Sequence, residues 1–220
     1  MENSFEKSQT NFISRTLLTM GVGLLVTFFV AFLTPLVMPN INSALMVIAI
    51  FGELGLVIYL SARINKMAAN TARMWFYVYA ALNGFTLSLI FSAYGLDTVT
   101  TVFLITSVMF LSSAMIGMTT KRDLSVFARF FMMLVIGIIL MSIAGIFLNI
   151  TGLNFIISII GIIAFCGLTA YDMQKIKKFH NQCYNVGSED VSRYVIISAL
   201  SLYLDFINLF LFVLRLFREK

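Results

Sequence analysis

Seven apolar runs, separated by short polar connections, organise the chain at about 16–38, 44–62, 74–96, 99–119, 126–150, 155–171 and 194–214. Crossing the ~30 Å hydrocarbon core of a bilayer takes about 20 helical residues at ~1.5 Å per residue, and the runs fall near that length. Connections at 39–43, 95–98 and 151–154 carry Gly, Asn, Asp or Pro, as tight turns between adjacent helices require. The longest polar stretch, 175–193, has 19 residues, too few for a soluble domain. The pattern predicts an all-α integral membrane fold of seven transmembrane helices, with an N-terminal tail over 1–15, a transmembrane domain over 16–216 and a C-terminal tail over 217–220. The first run exceeds a signal-peptide core and lacks a small-residue cleavage site, so it reads as a retained helix.

The last run differs from the others. Tyr194, Ser198, Ser201, Asp205 and Asn208 recur at spacings of three and four, which places them on one face of a helix. That face is expected to look into protein or a water-filled cavity. An ionised aspartate at the centre of a membrane helix costs on the order of 2.5–3.5 kcal/mol even on lenient insertion scales. Something must offset that cost at Asp205.

Composition agrees with a membrane chain: 60% of the 220 residues are hydrophobic and 11% charged, under half the charged fraction of soluble domains. The formal charge of +5 does not point to nucleic acid, because the bases sit in short clusters between runs. Those clusters alternate. Lys7 and Arg15 precede the first run, Arg63, Lys66 and Arg73 follow the second, Lys121, Arg122 and Arg129 the fourth, and Lys175, Lys177, Lys178 and Arg193 the sixth; the other connections hold none. By the positive-inside rule the N-terminus is cytoplasmic. Arg215, Arg218 and Lys220 break the alternation, so the last run either crosses against that bias or is re-entrant. Cys166, in an apolar run, and Cys183, in a polar loop, form neither a disulfide framework nor a metal spacing. The sequon at Asn149 reads as a chance match in a turn, and no inverted repeat of the transporter kind is visible.

Four ionisable side chains lie within or at the edge of the runs: Glu53, Arg63, Asp172 and Asp205. If Asp172 and Asp205 meet, two carboxylates in a low-dielectric site cannot both ionise cheaply, and they share a proton. A nearby arginine favours the doubly charged form, and carboxylates facing water offer the oxygen ligands that calcium prefers. Plainer readings stand beside this one. Arg63 snorkels to the interface, Asp172 balances Lys175, Asp205 has a structural hydrogen bond, and Glu53 is buried as a neutral acid. Asn83 and Thr86 read as hydrogen-bonding stitches between helices. His180 reads as a solvated loop residue. No Ser/His/Asp set, HExxH or phosphate-binding glycine loop occurs, so the expectation is a protein that is not an enzyme and has no cofactor.

The segments 170–176 (AYDMQKI) and 202–210 (LYLDFINLF), with Phe51-Gly52-Glu53-Leu54 and Ser61-Ala62-Arg63, resemble the signature of the Bax inhibitor family, its bacterial branch above all. The resemblance covers essentially the whole chain, and the two aspartate motifs are specific in combination. It implies seven helices with the last one central, in a bacterial inner membrane. It also implies a pH-sensitive calcium leak in which Asp172 and Asp205 are the proton sensor, with possible calcium contact. Arg63 is then the latch of the closed state, and Glu53, Ser201 and Asn208 line the ion pathway. For some bacterial relatives the resemblance implies a different role: a non-conducting regulator of a membrane-bound AAA protease, engaged by the N-terminal tail.

Overall fold

A computed structural model describes residues 2–148, 152–182 and 188–218. Cys183, the sequon at Asn149 and the end of the C-terminal tail lie outside the described residues. All regular structure among the described residues is helical: α1 Glu2–Val37, α2 Ser43–Arg63, α3 Ala69–Thr119, α4 Ser125–Leu148, α5 Leu153–Gln182 and α6 Ser188–Arg218, with one 3-10 turn at Ile64–Lys66. Each of the six helices contains a stretch long and apolar enough to cross a membrane.

Two of the expected runs share one helix. α3 has 51 residues, which at ~1.5 Å each would exceed twice the hydrocarbon thickness if it were straight. It is not continuous: Gly95 has φ 74° and ψ 158°, inside no helical basin. A single glycine therefore replaces the four-residue turn expected at 95–98, because without a Cβ it takes a positive φ at no steric cost. The expected runs 74–96 and 99–119 lie on either side of it. The segment 1–15, expected as a tail, continues α1 from Glu2, and Phe12 and Ile13 within it are buried. α5 outruns its expected end at 171 by three turns, carrying Asp172, Gln174 and Lys177 on a regular helix.

The chain divides into two compact units. One comprises residues 1–96 and 180–203, that is α1, α2, the first part of α3 and the first half of α6. Here α1 shows an inside-out pattern. Its buried positions, Phe12, Ile13, Thr16, Met20, Gly23, Thr27, Ala31 and Thr34, follow helical spacing and include three threonines, whereas Leu18, Leu25, Phe29 and Leu36 are exposed. Lipid tails are as apolar as leucine, so helices associate through small and hydroxyl residues that allow close packing and hydrogen bonds. At Gly84 of α3 a Cβ would come within 2.5 Å of the Thr27 carbonyl oxygen on α1. That helix pair meets backbone to backbone.

The second unit comprises residues 97–179 and 204–220: the rest of α3, then α4, α5 and the end of α6. Gly117 of α3 abuts the backbone of Ala170 on α5, and a Cβ there would overlap the Ala170 carbonyl. Gly161 of α5 leaves room for the ring of Phe212 on α6, which stacks on Phe165 at 5.7 Å. The loop between α3 and α4 is held by α5: the Gln174 side chain accepts from Leu124 N at 3.0 Å and donates to the Arg122 carbonyl at 2.8 Å. Burial grades sharply across the candidate spans, from 11% of the α4 stretch and 17% of α2 to 61% of α6.

Candidate functional site

Asp205 lies on α6, whose residues 199–214 are mostly buried apolar side chains. The polar stripe read from spacing is real. Tyr194, Ser198, Ser201 and Asn208 are half-buried, as are Ile197, Leu204, Leu211 and Phe212 on the same side of the helix, while the Leu, Ile and Phe positions of the opposite side are buried against protein. Asp205 is the exception on that stripe, with 6% of its surface exposed. Its oxygen Oδ2 is buried and has no hydrogen-bond partner. The Thr169 hydroxyl of α5 is within hydrogen-bonding reach of the Asp205 carboxyl, and Asp172, one turn further along α5, acts on it electrostatically. Helical spacing of three puts Thr169 and Asp172 on the same side of α5. Both carboxylates belong to the second unit. Thr169 also donates to the Phe165 carbonyl at 2.8 Å. A hydroxyl has one hydrogen to give, so Thr169 cannot fully serve both acceptors at once.

The first unit contains a different polar centre. Glu53 of α2 accepts hydrogen bonds from the Asn83 amide and, at 2.7 Å, from the Thr86 hydroxyl, both on α3. The Tyr79 hydroxyl is also within hydrogen-bonding reach of Glu53. Asn83 accepts in turn from the Tyr203 hydroxyl of α6 at 3.0 Å, and Tyr203 pairs with Thr27 of α1 at 2.6 Å. Thr27 further contacts the carbonyl of Ala80 at 2.9 Å. Side chains from four helix segments thus satisfy one another within the apolar interior, as buried polar groups must. Phe76 packs edge-on against Tyr203 at 5.5 Å and seals one side.

The family model described as "Inhibitor of apoptosis-promoting Bax1" matches residues 9–220. The chain belongs to the Bax inhibitor family. Its relatives include "Inner membrane protein YbhL" of Escherichia coli (strain K12), 43% identical over 206 residues that cover 91% of this chain and 88% of the relative. A Borreliella burgdorferi protein is 36% identical over 219 residues, 96% and 93% of the two chains. A membrane protein of Streptococcus pyogenes serotype M3, SpyM3_0260, is 41% identical over 157 residues, 71% and 66%. This family member is a multi-pass protein embedded in the lipid bilayer.

The expected site residues of this Bax inhibitor family chain fall into two groups. Asp172, Asp205 and Asn208 lie in the second unit; Glu53, Arg63 and Ser201 lie in the first. Arg63 is exposed in the last turn of α2. The Asn208 amide donates to the Leu204 carbonyl of its own helix at 2.8 Å. Asn83 and Thr86 do stitch helices together, and their common partner is Glu53. Thr27, Tyr79, Thr169 and Tyr203 escaped the sequence reading because hydroxyls are common in membrane helices. A signal existed for Thr27: Thr16, Gly23, Thr27 and Thr34 recur on one face of α1 at helical spacing. Among the described residues no group of three or more His, Cys, Asp or Glu side chains could hold a metal ion.

Proposed function

We propose that this protein is a non-enzymatic, pH-sensitive leak for calcium or related cations, gated by a proton shared between Asp172 and Asp205. One observation carries the reading: a carboxylate 6% exposed in a membrane helix, with Oδ2 lacking any partner and a second carboxylate acting on it. An ionised group so placed is expensive, whereas a protonated Asp205 donates to Thr169 and frees the threonine hydrogen for Phe165. In this scheme Arg63 is the counter-charge of the closed state, and Glu53, Ser201 and Asn208 border the ion pathway. α6, the most buried candidate span among those described, is the central helix of a seven-crossing bundle when α3 is counted as two spans about Gly95. Alternation of the basic clusters puts the N-terminus in the cytoplasm of a bacterial inner membrane.

The test is calcium flux into proteoliposomes as a function of pH. Flux rises on acidification in the wild type, because protonating an aspartate removes the counter-charge that holds Arg63. Asp205→Asn and Asp172→Asn flatten that pH profile, and Arg63→Ala raises the leak at neutral pH. An unaltered profile in both aspartate variants removes the sensor. Absence of flux from wild-type vesicles at every pH favours the alternative, a non-conducting regulator of a membrane protease; deleting residues 2–12 then abolishes the regulation.

A further inference from the structure

The second unit contains a cavity of about 320 Å³ that the aspartate pair does not use. It lies among Ile116 of α3, Leu124 just before α4, Phe127 and Phe131 in the first turns of α4, and Cys166 and Ala170 of α5. Water occupies about 30 Å³ per molecule in the liquid and needs two to four polar partners. The polar side chains on the wall are Ser113 and Cys166, which lie within hydrogen-bonding reach of each other. The space is therefore large and apolar-walled, suited to hydrocarbon.

Its surroundings are basic. Lys121 and Arg122 are exposed immediately beyond the end of α3, and Lys175 and Lys178 are exposed on α5. On α5 the cavity-lining Gly167 and Ala170 continue, by helical spacing, through Gln174 to Lys177 and Lys178. Lys177 lies about 10 Å beyond Ala170 along the axis, at ~1.5 Å per residue. The Gln174 clamp on Leu124 and Arg122 fixes the basic loop at this end of the apolar slot. Asp123, paired with Lys178 at 2.9 Å, is the one acidic residue of this loop. An apolar slot ending in a cationic cluster between transmembrane helices complements an amphiphile with an anionic head.

We propose that the cavity between α3, α4 and α5 seats one acyl chain of an anionic phospholipid, whose phosphate is held by the basic loop at 121–122 and the end of α5. Cys166 reports on occupancy because it lines the slot. The full chain carrying Cys183→Ser is reconstituted in nanodiscs of phosphatidylcholine, with or without phosphatidylglycerol, and the alkylation rate of Cys166 by N-ethylmaleimide is measured. Phosphatidylglycerol slows the reaction by about tenfold, as a ligand free-energy difference worth one or two basic contacts gives. In the same nanodiscs Lys121→Gln/Arg122→Gln/Lys178→Gln restores the phosphatidylcholine rate, so bulk surface potential is held constant. Native mass spectrometry of the wild type retains phosphatidylglycerol after detergent exchange, and Ile116→Trp loses it; Ile116 lines the slot and is 59% exposed, so the added ring is accommodated without disturbing the interior. Equal Cys166 rates in the two lipids overturn the proposal, as does a phosphatidylglycerol effect that survives in the triple variant or a lipid retained by Ile116→Trp.

Discussion

At the scale of single residues, the two polar centres solve the same problem in opposite ways. Glu53 receives hydrogen bonds from Asn83 and Thr86 and has the Tyr79 hydroxyl within reach, so its oxygens are met by donors. Asp205 is left one oxygen short. Tyr203→Phe leaves the Asn83 side-chain oxygen without its donor, while Thr27 keeps the Gly23 and Ala80 carbonyls, and is expected to cost about 1 kcal/mol, within the range measured for hydrogen bonds between membrane helices. Thermal unfolding in detergent reads it, and a change within error shows that the network relaxes around the loss. Glu53→Leu lowers stability more than Glu53→Gln, since glutamine keeps an acceptor for one donor. Outside the spans, the Ser125 hydroxyl and then the Lys178 ammonium hold the Asp123 carboxyl well below the usual carboxylate range. A folded value below the unfolded one gives a stabilisation that is present above about pH 4 and lost as pH falls further. Asp123 is exposed, so screening keeps this small. Asp123→Asn should leave the flux profile between pH 5 and 8 where it was, which separates loop titration from the intramembrane pair.

At the scale of helices, close packing depends on glycines whose positions are not interchangeable. Gly117 sits against the Ala170 backbone and Gly84 against Thr27, whereas a Cβ at Gly137 of α4 meets nothing within 4 Å. Gly117→Ala must push α3 from α5 and is expected to destabilise by about 1–3 kcal/mol, the cost of overpacking. Gly137→Ala should be neutral or stabilising by up to about 1 kcal/mol, because only backbone entropy changes. Unfolding midpoints of the two variants in one detergent test the contrast, and equal midpoints refute it. The same geometry explains burial: α5 and α6 carry small residues or fitted aromatics on several faces, while α4 presents Phe127, Phe130, Met133, Ile136 and Leu140 outward. α6 is also unbroken from Ser188 to Arg218, which leaves no point at which a re-entrant segment would turn.

At the scale of the whole molecule, the seven crossings proposed above make a topological prediction. A periplasmic reporter such as alkaline phosphatase fused after Lys220 is active, and one fused after Lys121 is inactive; activity reversed at either site removes the orientation. The sequence by itself determined the membrane class, all but one of the helix boundaries to within a few turns, the family, and the polar stripe on α6. Those follow from local rules: hydrocarbon thickness sets run length, and helical periodicity sets faces. Asp205 was conspicuous for the same reason, as a charge where none is cheap. The tertiary structure alone decided which polar groups are paired. Asp205 stood out in the chain and Glu53 less so, and only its neighbours on α3 show that the Glu53 oxygens meet donors. Three to four residues of sequence specify a face, but a hydrogen-bond partner comes from a helix some 30 to 176 positions away. Gly95 follows the same division: the sequence marks a turn there, while only the structure shows a one-residue break in α3 and not a loop.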